Sequence, residues 1–150
     1  NPSNRQSNWQ SVRSRVTLTV GKNAIAFEKE IYAYSGLIDF SAGSSGDERT
    51  ALDFTSPNAY YRCDLAISID SGSWVNTDIL GTIMRLNGLS VYLNKFAITA
   101  TTLGQAQLVS PFAVILPPNT RVKFIFQFSS STAMTGNAAV VLTGRMIGHA

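Results

Sequence analysis

Residues Tyr60–Ile69 read YYRCDLAISI, and their alternation decides the fold. Tyr61, Cys63, Leu65, Ile67 and Ile69 fall on one side of an extended chain; Tyr60, Arg62, Asp64, Ala66 and Ser68 fall on the other. Side chains of a strand project to opposite faces with a period of two, so this run is a strand with one apolar and one wet face. The period recurs at Arg121–Phe128, where Val122, Phe124, Phe126 and Phe128 oppose Arg121, Lys123, Ile125 and Gln127. It recurs again at Ala138–Ile147, with Val140, Leu142 and Met146 on one face and Gly144 between them. Leu65, Ile67, Val122, Phe124, Phe126 and Leu142 are the expected core.

Upstream, Val12, Val16, Leu18 and Val20 alternate with Arg13, Arg15, Thr17 and Thr19. Gly21-Lys22-Asn23 reads as a turn, after which Ile25, Phe27 and Ile31 resume an apolar face with Glu28 and Glu30 opposite, as in two neighbouring strands. Ser41–Asn58 is the longest polar interruption and reads as a loop. Asp70-Ser71-Gly72-Ser73 is a turn cluster leading to a loop that carries Trp74. Ile79–Leu86 (ILGTIMRL) fits a short helix or a buried strand, and is where a helix is expected if the chain has one. Asn87-Gly88 signals a hairpin, since both residues accept positive φ. Pro111 removes a ladder donor from Val109–Leu116, which marks an edge strand or a bulge. Pro117-Pro118-Asn119 is a rigid turn. About eight strands divided by turns, with no fixed repeat, predict an antiparallel β-sandwich.

A chain of 150 residues fits one domain. Asn1–Ser11 is too polar to join a core and reads as an extended arm carrying Arg5 and Trp9, so residues 12–150 form the sandwich. The chain has no initiating Met and no signal-peptide core, as a processed or trimmed chain would, and its single Cys fits a reducing cytosol or a protein that never needed oxidation. The uncharged stretches Phe96–Thr120 and Phe124–Gly144 are too rich in Gln, Ser, Thr and turn residues to span a membrane.

Charge is divided along the chain. All nine carboxylates lie between Glu28 and Asp78, beside three cations, for a net of −6. The flanks carry +4 and +5, and no Asp or Glu follows Asp78. Only 14% of residues are charged, against roughly 25% in ordinary soluble domains. Such a surface repels its own copies weakly and permits dense self-assembly.

Acid–base chemistry needs titratable groups gathered in a pocket. Here the one His, His149, is next to last, and Cys63 sits on the apolar face of the clearest strand, where a thiol is packing. Asp47-Glu48 is the nearest approach to a cation site and reads as a solvated loop tip. Neither a phosphate-cradling glycine loop nor a nucleophile elbow is present. The expectation is no catalytic residue, no metal and no cofactor. Arg5, Arg13, Arg15 and Trp9 sketch a basic, aromatic footprint, but twelve cations in the whole chain are few for a nucleic-acid binder. Tyr60 and Tyr61 are adjacent, so Tyr60 must face away from the core. The candidate interface residues are Arg5, Trp9, Arg13, Arg15, Tyr60 and Trp74.

The segment VSPFAVILPPNTRVKFIFQFSSSTAMTGNAAVVLTGRMIG, beginning at Val109, resembles the closing strands of viral jelly rolls, with a Pro-rich turn before a long alternating strand. With the neutral Ser/Thr/Asn-rich composition and polar arm, the chain is similar to small tailed-phage head proteins of the cement, decoration or vertex type. That resemblance implies an all-β, jelly-roll sandwich and a structural capsid role, commonly as a homotrimer bound to shell proteins in a virion assembled in the host cytoplasm. Two other classes stand beside it. One is a carbohydrate- or receptor-binding module using Tyr60 and Trp74 as a platform; the other is an enzyme with no recognisable site.

Overall fold

The computed structural model describes residues 17–27, 29–40, 46–70, 79–97, 106–129 and 137–150. Among them are eleven strands and no helix. The strands are β1 (Thr17–Lys22), β2 (Ala24–Phe27), β3 (Glu30–Tyr34), β4 (Ile38–Asp39), β5 (Glu48–Thr55) and β6 (Ala59–Asp70). They continue with β7 (Ile79–Leu86), β8 (Leu89–Ala97), β9 (Ala106–Leu116), β10 (Arg121–Ser129) and β11 (Asn137–His149). Every pairing is antiparallel, in the order β8-β7-β10-β5-β1-β2-β3-β11-β6-β9, with β4 also on β11.

The order is a rolled ribbon. The β7–β8 hairpin is its tip, and around it β6 pairs β9, β5 pairs β10 and β3 pairs β11. Folding the ribbon over places β5-β10-β7-β8 against β3-β11-β6-β9, with the short β1 and β2 joining the two layers along one side. This is a jelly-roll sandwich. The expected eight become eleven because the run Ile25–Ile31 divides into β2 and β3 and because β4 and β5 are added.

The core lies between the layers. Tyr61, Cys63, Leu65, Ile67 and Ile69 of β6 meet Val122, Phe124, Phe126 and Phe128 of β10, with Leu142 of β11, Leu52 of β5 and Met84 of β7. All six expected core residues are buried. The turns also match their signals: Asn87 and Gly88 have φ of 51° and 84°, and Asn119 has 53°. Asn87 also accepts a hydrogen bond at Oδ1 from the Arg121 amide, 2.9 Å, tying the tip to β10. Among the described residues β9 is an edge strand, and its register slips between Phe112 and Val109, where Pro111 sits.

Two buried serines replace ladder bonds where strands separate. Ser56 Oγ accepts from the Thr120 amide at 2.8 Å and donates to the Pro117 carbonyl at 2.7 Å. Ser35 Oγ accepts from the Val140 amide at 2.9 Å and donates to the Gly36 carbonyl at 2.6 Å. Among the described residues no buried side-chain polar atom is left without a partner, as buried polar groups require.

One open alternative is settled and three expectations are corrected. Ile79–Leu86 is a strand, and its helix-like ambiguity has a cause. β7 lies inside its sheet between β10 and β8, with Leu80, Thr82 and Met84 buried on one face and Gly81 and Ile83 on the other. A strand covered on both faces loses its alternation. The Ser41–Asn58 interruption contains β5, whose Leu52 and Phe54 are buried while Glu48, Arg49 and Asp53 mask the pattern. Ile25 and Phe27 do not share the inner face with Ile31. Ala24 and Ala26 point inward opposite Ala33 and Ile31, and the larger residues point out. The corner is tight, since a Cβ on neighbouring Gly21 would stand 2.5 Å from the Phe54 Cβ. Of the expected turn, only Asn23 (φ 59°) turns; Gly21 and Lys22 belong to β1.

Candidate interaction surfaces

The groups that could have made a catalytic pair are apart. Cys63 points into the core opposite Gly144, and burial above all, then the Asp64 charge, pushes its thiol up to about 12. A thiol so raised is protonated at neutral pH and is a poor nucleophile. His149 is exposed at the end of β11 opposite Ala59, five residues from Gly144, or about 17 Å along a strand. Among the described residues no three His, Cys, Asp or Glu side chains converge as metal ligands. Glu48 opens β5 rather than sitting at a loop tip, with Oε1 3.6 Å from Arg85 Nη2.

The strongest ion pair lies on the outside of the β5-β10 layer. Arg121 donates from Nε and Nη2 to both carboxylate oxygens of Asp53, at 3.1 and 3.0 Å. This bidentate bond, with the cationic charge, holds the Asp53 carboxyl below its ordinary 3.8 although burial opposes it. A carboxyl lowered in the native state stabilises above its unfolded value, and that contribution is lost as pH falls through the native one. Asp53→Asn should therefore lower Tm modestly at neutral pH, because the pair is exposed. The two melting curves should converge in acid below 3.8, as thermal scans across pH will read.

The outer face of the opposite layer carries a different combination. β2 presents Ile25 and Phe27, β3 presents Glu30, Tyr32 and Tyr34, β11 presents Thr143, Arg145 and Ile147, and β6 presents Tyr60, Arg62 and Asp64. Pairing aligns them in two rows. Phe27, Glu30, Arg145 and Arg62 form one; Ile25, Tyr32, Thr143 and Asp64 form the next. Between the β2–β3 corner and β6 the face sinks into a groove of about 400 Å³. Phe27 and Tyr32, 48% and 49% exposed, wall it. Arg62 Nη1 lies 3.4 Å from Asp64 Oδ2, whereas neither Glu30 nor Arg145 forms an ion pair among the described residues.

A second surface is the free edge of the other sheet. Among the described residues β8 bonds only to β7, and Leu89, Val91 and Leu93 stand along it, Leu89 and Leu93 being 70% and 63% exposed. A bulge at Val91 interrupts its register between Arg85 and Met84. Tyr92 points inward and stacks on Phe112 of β9, centroids 4.1 Å apart, so the edge is firmly seated.

Of the residues singled out in sequence, Tyr60 is half-exposed on the grooved face opposite Gly148, beyond the groove itself. Arg5, Trp9, Arg13, Arg15 and Trp74 lie outside the described residues, as does the arm. Phe27, Glu30, Tyr32 and Arg145 were missed, because only register across β2, β3 and β11 brings them together. The one signal was the pairing of Ala24 and Ala26 with larger neighbours on the other face.

No family model matches the chain, and no curated protein sequence does. Solved structures do match. The VP2 subviral particle of infectious bursal disease virus aligns over 79% of this chain and 32% of its own, with 15% identity and a TM-score of 0.56. The Gx strain of that virus aligns over 86% and 37%, with 15% identity and a TM-score of 0.51. The chain thus spans about a third of the length of these structures. The likeness is one of fold, the antiparallel jelly-roll sandwich expected from the Val109–Ile147 pattern.

Proposed function

We propose that this chain is a structural domain of a virion that associates with its own copies, as a trimer, and docks on a capsid shell. The cement, decoration or minor-capsid role of tailed-phage head proteins is the form this takes, in particles assembled in the host cytoplasm. It acts by adhesion and not by catalysis.

The observation that carries the reading is the β8 edge, where large aliphatic side chains are exposed on a strand with no second partner among the described residues. Exposed edges are a liability unless something covers them. The Val91 bulge works against plain strand addition, so the contact forms through Leu89 and Leu93 packing into a neighbour, as apolar anchors do at the centre of interfaces. The sparse charge of the chain lowers the repulsion that would oppose it. The capsid setting is supported by the shared fold, which alone never fixes a function. Removing Asn1–Ser11 tests the arm: docking on a neighbour through Trp9 and Arg5 predicts weaker assembly with Tm nearly unchanged.

Light scattering on the purified chain should give a trimer at micromolar concentration, and Leu93→Lys should reduce it to a monomer that keeps the β-rich circular dichroism of the wild type, with Tm lowered by no more than the lost association contributes. A wild-type monomer at high micromolar concentration with no partner present overturns the reading.

A further inference from the structure

We infer that the groove on the outer face of β2, β3, β11 and β6 binds a neutral, hexose-based glycan of one or two residues. The inference is independent of the β8 contact and goes beyond assembly.

Its chemistry narrows the occupant by elimination. Glu30 and Asp64 balance Arg62 and Arg145, so the groove has no excess charge to favour a phosphate, a sulfated or sialylated sugar, or a cation. An apolar ligand would bury the charges of Glu30 and Arg145, which form no ion pair among the described residues, and that is costly. An extended peptide finds no open ladder, since each strand under the groove is paired on both sides. A neutral pyranose meets both halves of the site. Its C–H face can lie on the half-exposed rings of Tyr32 and Phe27, as ligand pockets use aromatic walls. Its hydroxyls are donors and acceptors at once, matching acceptor-only carboxylates and donor-only guanidiniums. Glu30 and Arg145 are set opposite each other by register yet form no ion pair among the described residues, so their bonding capacity remains available. A groove of about 400 Å³ lies at the small end of the range for ligand sites.

The test is an amide-detected NMR titration of the intact chain with the methyl glycosides of galactose, glucose, mannose and N-acetylglucosamine, with lactose, and with sialyllactose. The expected result is saturable shifts at millimolar concentration for at least one neutral sugar, confined to amides of β2, β3, β6 and β11. Tyr32→Ala should raise Kd about tenfold, the value of one aromatic contact, and Arg145→Ala should raise it comparably. Both side chains point outward, so Tm should hold, and Leu93→Lys should leave sugar binding unchanged. No saturable shift with any neutral sugar, binding of sialyllactose alone, or wild-type affinity retained in both groove variants each overturns the inference. So does loss of the oligomer in Tyr32→Ala or Arg145→Ala, which would make the groove a subunit contact.

Discussion

Phe126→Ala should destabilise the protein by about 3–5 kcal/mol, the range for emptying a fully buried aromatic site. Phe126 has no exposed surface and sits mid-strand in β10. Its ring meets Phe40 edge-on, with centroids 5.9 Å apart and planes at 83°, and meets Phe124 at 5.4 Å and 77°. Edge-to-face geometry adds to area burial, so truncation loses both. Phe40 also leans on Phe128 at 5.3 Å, which limits how far it can move into the space. The residual cavity should therefore stay open and the loss should fall in the upper half of the range. Chemical denaturation measures it; a loss under about 1 kcal/mol would show that the core collapses freely around this position.

Gly144→Ala is the second large effect, and it acts by crowding. Gly144 lies on the inner face of β11 between Ile31 of β3 and Cys63 of β6. A Cβ there would collide with Cys63 Sγ and stand 2.6 Å from Ile31 Cγ2. Both obstacles are side chains rooted in paired strands, so relief requires shifting a strand or forcing a rotamer. Overpacking of this kind costs roughly 1–3 kcal/mol. Cys63→Ala removes one obstacle, so the double variant should lose less than the sum of the singles by about 0.5–3 kcal/mol. Strict additivity would mean that the strands, and not the thiol, absorb the strain.

Where one face of a strand meets water and the other the core, the chain states its structure openly. β6 and β10 are of this kind, and so are the turns at Asn87-Gly88 and Asn119, whose positive φ few residues accept. Legibility fails where that contrast fails. β7 is covered on both faces, and β5 hides two core residues among five charged or polar ones. At β2 the inner side belongs to alanines because the corner leaves no space, so the larger Ile25 and Phe27 misdirect the eye. The groove was illegible for a further reason. Arg62 and Asp64 were placed outward by their strand, but Arg145 becomes the neighbour of Arg62 only through pairing across 83 residues, and Glu30 joins them only by pairing with Arg145 across 115.

The rolled ribbon also fixes when the molecule can become itself. β11 lies between β3 and β6, in the middle of its layer, yet it follows every other strand in the chain. During synthesis at about 5–20 residues per second, β3 and β6 must wait for it with facing edges bare. Closing Ala33 onto Leu142 spans nearly the whole domain, and such distant pairing places folding in the slow, millisecond-to-second class. The interval before β11 arrives is when the exposed edges are most open to wrong partners. The nascent chain's vulnerability is therefore written into its connectivity rather than into any one residue.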